Sequence, residues 1–410
     1  MGRPMKLLFI SWDGPGPNYH EALFIPIFAR SRRPDDEIHL LQYAWGAEGR
    51  SASVRVAAQR MGMRYAGRPV WRAPQAAATA GMIAKGALDL ARYVRRHEID
   101  VLMPRSLIPA GMALIALRFL PGVGLLFDAD GLMADERADF GGWSRKGKPY
   151  RILRAVETQA VRRASVVITR TQKAKRILAE RAGLEEPGKI LVVANGKDDE
   201  VFEPGTPAGR ATTRRELHLS EHTPLLVYAG SLGPHYHPDR VVALASAVRA
   251  KRADMHLLIL TGSLEIGRAA CVAGGLEASS YTVRQVTPDA VPRYLAAADL
   301  GIAFRTASLS QQAVAPIKVG EYLLCGLPVI STSGIGDLDD QIDPGTGRLL
   351  DRLDDETLRA AADWFVGSVV ASRENYRARC RTRGLEHFSL AAAASEYQRA
   401  FDRMGEAVPE

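Results

Sequence analysis

Short apolar, β-branched runs alternate with amphipathic stretches along most of the chain. Lys6 to Trp12 reads as a first buried strand, followed by the loop DGPGPNYHE and a helical pattern through Ile25 to Arg30. Similar strand runs recur as IDVLMP at 99–104, GLLFDAD at 124–130 and SVVITR at 165–170. Helical stretches such as Thr79 to His97 and Tyr150 to Ala164 separate them. Strands alternating with helices argue for a parallel α/β sheet. The pattern then restarts with PLLVYAG at 224–230, MHLLILTG at 255–262, YTVRQV at 281–286, LGIAF at 300–304 and LPVIST at 327–332. Two successive doubly wound units imply a cleft between them, with a ligand at the carboxyl ends of the strands.

The stretch APIKVGEYLLCGLPVIST at 315–332 carries the sharpest chemistry. Pro316 suits a helix start, where its missing N–H costs nothing. Gly326 suits the left-handed position just past a helix end, and Pro328 prevents continuation. Leu327 to Ile330 then reads as a buried strand. Lys318 and Glu321 are three residues apart, so both charges share one helix face. A helix N-terminus attracts anions. Lys318 adds a full charge for a phosphate, and a carboxylate one turn deeper can accept two hydrogen bonds from a ribose diol. The same spacing also fits an ordinary surface salt bridge.

The stretch resembles the nucleotide-sugar site of glycosyltransferase family 4, of the GT-B fold, through Pro316, Lys318, Glu321, Tyr322, Gly326, Pro328, Val329 and Ile330. The resemblance implies Glu321 on the donor ribose and Lys318 near the diphosphate. Ala313 stands where many relatives carry a second glutamate for the sugar ring. FDADGLMADERADFGGW at 127–143 resembles a family 4 subset through Asp128, Gly131, Asp135, Glu136 and Arg137, with Asp130 in place of an arginine. Asp128 or Asp130 would bind acceptor or sugar hydroxyls at a strand end; capping a helix or pairing with Arg137 is the plainer role. Asp128-Ala129-Asp130 also has the form of the DxD of metal-dependent GT-A transferases. The second Rossmann-like unit argues against that, because in GT-B enzymes helix dipoles and basic side chains replace the metal, and no metal is expected.

YAGSLGPHYH at 228–237 resembles the first strand and loop of the nucleotide-binding domain. Gly230 allows close backbone approach, Ser231 stands where relatives have arginine, and His235 and His237 lie near the position of a lysine. GPGPNYH at 14–20 is the first-domain glycine loop, placing Gly14 and Gly16 beside the donor. His20 would touch acceptor or phosphate, or cap the following helix. Val286 to Asp289 resembles the loop that holds the nucleobase. Asn195, Gly196, Asp198 and Phe202 match the segment joining the two domains. The expected layout is an acceptor-side domain over 1–203, a nucleotide-sugar domain over 204–385 and a C-terminal segment over 386–410. In that segment a last helix near Leu390 to Arg403 packs back on the first domain.

Composition narrows the partners. The 410 residues, 47% hydrophobic and 24% charged, suit two soluble domains. Cys271, Cys325 and Cys380 fit neither a disulfide framework nor a zinc site and suggest a reducing cytoplasm. Met5 to Trp12 meets Asp13 too soon to be a signal peptide. Leu107 to Phe127 is broken by Arg118 and Pro121, so it reads as a buried helix and strand rather than a membrane span. The net charge of +8 divides as +11 over residues 1–200 and −3 over the rest. Clusters at Arg30, Arg32 and Arg33, at Arg92, Arg95 and Arg96, and at Arg145, Lys146 and Lys148 suit either a solvated face or an anionic membrane surface. No nucleic-acid motif accompanies them, and no nucleic-acid partner is expected.

The expectation is a cytoplasmic GT-B enzyme, two Rossmann-like domains with a central cleft, peripheral on the inner membrane face. It would move a sugar with retention from a UDP- or GDP-sugar co-substrate to a glycan or lipid-linked acceptor, in cell-surface polysaccharide or glycolipid synthesis, without a further cofactor. A non-catalytic partner subunit and a nucleotide-sugar 2-epimerase remain the alternatives.

Overall fold

The computed structural model describes residues 4–14, 18–46, 50–71 and 75–407. The chain divides into two compact units, one of residues up to 194 with 312–314 and 393 onward, the other of 195–311 with 315–392. Residues 195–203, which the expected layout gives to the first domain, fall in the second unit.

The first unit is built on β1 (Lys6–Asp13), β2 (Glu37–Ala44), β3 (Arg64–Pro69), β4 (Val101–Pro104), β5 (Gly124–Asp128), β6 (Val166–Thr169) and β7 (Ile190–Val192). They form one parallel sheet in the order β3-β2-β1-β4-β5-β6-β7. The order reverses between β1 and β4, and such a switch point leaves a crevice at the strands' carboxyl ends. The helix predicted from Ile25 runs over Ile25–Ser31, preceded by a π-helical turn over His20–Phe24. Leu107 to Phe127 resolves into the buried helix Leu107–Ala116 and β5. Among the described residues no helix is long and apolar enough to cross a membrane. From Ala393 the last helix, Leu390–Ala407, packs on this unit, with Phe28 between Tyr397 (5.6 Å) and Phe401 (6.0 Å). Each such buried ring contributes roughly 1.5–3 kcal/mol.

The second unit holds β8 (Leu225–Ala229), β9 (His256–Leu260), β10 (Tyr281–Arg284), β11 (Leu300–Ala303), β12 (Val329–Thr332) and β13 (Gly347–Leu350). This sheet is also parallel, in the order β10-β9-β8-β11-β12-β13. Its switch point lies between β8 and β11. Every residue of those two strands is buried, as a sheet covered on both faces requires.

Candidate functional site

The helix Ile317–Leu324 begins beside the switch point of the second unit. Pro316 is its N-cap, and Gly326 follows its end at φ +75°, in the left-handed region the sequence assigned to it. Tyr322 locks this helix to the sheet. Its buried hydroxyl accepts from Ala229 N (2.8 Å) and donates to Ile302 O (3.3 Å), tying together the two strands that flank the switch. The ring fits because residue 301 is glycine; a Cβ there would stand 2.4 Å from it.

Lys318 therefore reaches under the end of β8. Its Nζ is enclosed without a hydrogen-bond partner among the described residues. It stands 4.0 Å from the ring centroid of Tyr228 and 5.0 Å from that of Tyr236. Gly230, at φ +131°, lies directly over it, since a Cβ there would be 3.2 Å from Nζ. Burial, reinforced by the charge of Arg305 and opposed by Glu321, pushes the ammonium down to about 7. Glu321 does not pair with Lys318 as the surface-salt-bridge reading required. Its Oε1 meets Lys197 Nζ at 3.0 Å, in a pair whose side chains are 16% and 13% exposed. Backbone bonds from Lys197 N to Phe388 O and from Leu390 N to Lys197 O fix that lysine.

The other expected donor residues are close by or on the same unit. The Ser231 side chain is exposed, and its carbonyl accepts from the Tyr228 hydroxyl (2.6 Å). His235 O accepts from Thr306 N (3.0 Å), and His237 Nε2 lies 3.0 Å from Thr306 Oγ1. These bonds pin the histidine loop to the segment after β11. Val286 follows β10 and packs on the apolar cluster that includes Ala229, Val319 and Tyr322.

Three residues here escape the sequence reading. Lys197 and Tyr236 have no local signal. Arg305 has one: it directly follows the LGIAF strand, at a carboxyl end, where ligands of such sheets bind. Its backbone is fixed from both sides by Thr332 Oγ1, which accepts from Arg305 N (3.0 Å) and donates to Arg305 O (2.8 Å). Its guanidinium carbon lies 5.3 Å from the Tyr236 centroid.

In the first unit, the strand-end carboxylates take different roles from those expected. Asp128 is fully buried, and Arg170 Nη2 donates to both its oxygens (3.0 and 2.8 Å). With no exposed face it cannot orient a hydroxyl, and its partner is Arg170 rather than Arg137. Asp130, a third exposed, has φ +58° and pairs with Arg105 (2.7 Å), which follows β4. His20 is buried, its Nε2 2.8 Å from Ser11 Oγ and 3.1 Å from Asp13 Oδ2, so it neither caps a helix nor faces solvent. Burial works to raise the Asp13 carboxyl, but His20, Ser11 and Gln42 hold it well below the usual range. Gly14 runs so close to the Trp45 indole that a Cβ would stand 2.7 Å away; Gly16 lies outside the described residues. Ala313 is buried in the apolar cluster of this unit, beside Gln312, whose carbonyl accepts from Thr171 Oγ1 (2.7 Å). Among the described residues no group of three or more His, Cys, Asp or Glu side chains is placed to hold a metal ion.

Residues 37–201 match the model of Glycosyltransferase Family 4, and residues 223–367 match that of Glycosyl transferases group 1. The chain is 29% identical over 107 residues to a D-inositol 3-phosphate glycosyltransferase of Corynebacterium glutamicum, covering 26% of this chain and 25% of that protein. It is 28% identical over 244 residues to the enzyme of that name from Stackebrandtia nassauensis, covering 56% and 52%. The chain thus spans about a quarter to a half of the length of these curated relatives. Among solved structures, Anabaena HepE in complex with UDP superposes with a TM-score of 0.75 at 16% identity, covering 97% of this chain and 100% of that one. WaaG, a glycosyltransferase involved in lipopolysaccharide biosynthesis, gives 0.69 at 18% identity, covering 96% and 98%. These likenesses show the GT-B fold. The two family matches fall on the two successive parts of the chain and together take in most of it, and the chain belongs to the glycosyltransferases they describe, family 4 in its first part and group 1 in its second.

Proposed function

We propose that this glycosyltransferase moves a sugar from a nucleoside diphosphate donor to a hydroxyl of a glycan or lipid-linked acceptor, with retention at the anomeric carbon. The observation that carries the reading is the enclosed, unpartnered ammonium of Lys318 beside Gly230, one helical turn from Glu321. A buried lysine without a counter-ion is costly, and an arriving diphosphate offsets that cost by favouring the charged form. Glu321 then accepts from the ribose hydroxyls through the oxygen that Lys197 leaves open. The Anabaena structures hold UDP and UDP-glucose, which supports a nucleotide-sugar donor.

In the front-face reaction proposed for retaining GT-B enzymes, a leaving-group oxygen takes the proton of the attacking hydroxyl. Positioning and charge stabilisation of the diphosphate then supply most of the rate. Lys318 and the first N–H groups of Ile317–Leu324 do this without a metal. On the acceptor side, the partly exposed Asp130 is the better candidate for orienting a hydroxyl, while Asp128 positions Arg170. The basic first half of the sequence supports contact with an anionic membrane carrying a lipid-linked acceptor.

Calorimetric titration of UDP, GDP and their sugars into wild type and Glu321→Ala, with and without EDTA, tests the reading. Metal-independent binding of one nucleotide, lost in Glu321→Ala, is expected. Absence of binding to all of them overturns it.

A further inference from the structure

We infer that Arg305 is the second cation of the donor site and, with Lys318, grips the two phosphates of the nucleotide. This rests on the donor-site reading above and adds a residue and a charge arrangement to it.

The two side chains come from opposite flanks of one crevice. Lys318 lies beneath Gly230, which follows β8, and Arg305 follows β11, so the pair brackets the switch point of this sheet. One aromatic ring serves both: the Tyr236 centroid is 5.0 Å from Lys318 Nζ and 5.3 Å from the Arg305 guanidinium carbon. Neither cation has a carboxylate partner. Glu321, the acidic group that acts on Lys318, is already engaged by Lys197, and Arg305 makes no ion pair among the described residues. Two like charges at one ring, one of them enclosed, repel one another. A ring's negative face offsets only part of that. A dianion between them removes the repulsion, and a guanidinium can give a phosphate two parallel hydrogen bonds.

The segment is built to hold this position. Thr332 fixes the Arg305 backbone, and Thr306 binds the 235–237 loop through His235 O and His237 Nε2, holding Tyr236 within reach of both cations. Ser231, where an arginine is expected from the sequence resemblance, is exposed and contributes only its carbonyl, to Tyr228. The charge absent at 231 is thus supplied from the neighbouring strand.

The test compares UDP with UMP, and GDP with GMP, by calorimetry on wild type, Arg305→Gln and Arg305→Lys, with thermal melts confirming that each variant is folded. Arg305→Gln should weaken the diphosphate about tenfold or more while changing the monophosphate of the same base much less. Arg305→Lys should recover part of the loss. Wild type that binds the diphosphate, with Arg305→Gln matching it within about twofold, overturns the inference and leaves the donor site standing. Equal weakening of diphosphate and monophosphate also overturns it, since the residue would then act on the fold of the loop. Wild type that binds none of the four nucleotides overturns the donor-site reading, and this inference with it.

Discussion

Lys197 Nζ stands 3.0 Å from Glu321 Oε1, and Glu321 Oε2 takes no hydrogen bond among the described residues. The pair leaves one carboxylate oxygen for a ligand and separates Glu321 from Lys318, the cation on its own helix face. Because both side chains are mostly buried, removing one partner strands the other. We expect Lys197→Met and Glu321→Gln each to cost about 1–3 kcal/mol, with a coupling near 1 kcal/mol in the double-mutant cycle. Additive denaturation free energies would show that the contact carries no energy.

The depressed value of Lys318 makes stability depend on pH. Below about 7 the ammonium is charged in both folded and unfolded chains, and the whole cost of burying it is present. That cost fades as the pH rises from about 7 towards the ordinary 10.5. Lys318→Met should therefore be more stable than wild type, by a few kcal/mol at most, with the largest gain on the acidic side. Donor affinity runs the other way: wild-type binding of nucleoside diphosphate should fall as pH rises past about 7, and the variant should bind weakly throughout. Urea melts and titrations across that range measure both.

Asp128 and Asp130 should separate cleanly. Asp128→Asn removes the carboxylate charge that Arg170 Nη2 contacts and leaves only Asp130, at 3.7 Å from Nε, facing the buried guanidinium, at a cost of about 3–5 kcal/mol. Asp130→Asn, at a left-handed position that asparagine tolerates, removes the charge facing the mostly buried Arg105 and should cost about 1–3 kcal/mol, less than Asp128→Asn, with its larger effect on transfer. A stable, inactive Asp128→Asn would reverse the assignment.

Asp13 gives a signature in acid. Its folded-state carboxyl lies below the usual range, so its stabilisation is present above the ordinary carboxylate value near 4 and is lost as pH falls through the folded one. Asp13→Asn should be less stable than wild type at neutral pH, and the gap should narrow in acid. A constant gap across the titration would mean that packing around Trp45 and Gln42, rather than the charge, sets the cost.

Much of the fold is written locally. Lys6 to Trp12, PLLVYAG and LPVIST are apolar runs bounded by turn residues, buried except at Lys6, Trp12 and Gly230, and each becomes an interior strand of its sheet. Pro316 and Gly326 delimit their helix because a missing N–H and a missing Cβ act on the residue that carries them. The strands not seen in the sequence lack that local signal. In β2, Glu37, His39 and Gln42 interrupt the apolar run, and beyond the Glu37–His39 pair their polarity is satisfied by distant partners such as Arg64, Tyr93, Asp13 and Tyr65. β3 and β13 are sheet edges with partly exposed residues, and β7 is an edge of three residues.

The chemistry divides in the same way. Residue spacing alone placed Lys318 and Glu321 on one helix face, and the family motif tied that face to nucleotide-sugars. Only tertiary structure decided that Lys318 lies under Gly230 without a partner, that Glu321 is held by Lys197, that Asp128 is sealed by Arg170, and that Arg305 shares the Tyr236 ring with Lys318. Helix and strand periodicity are set by covalent geometry over a few residues. The charge state and reach of a side chain are set instead by burial and by neighbours that the fold brings from remote parts of the chain.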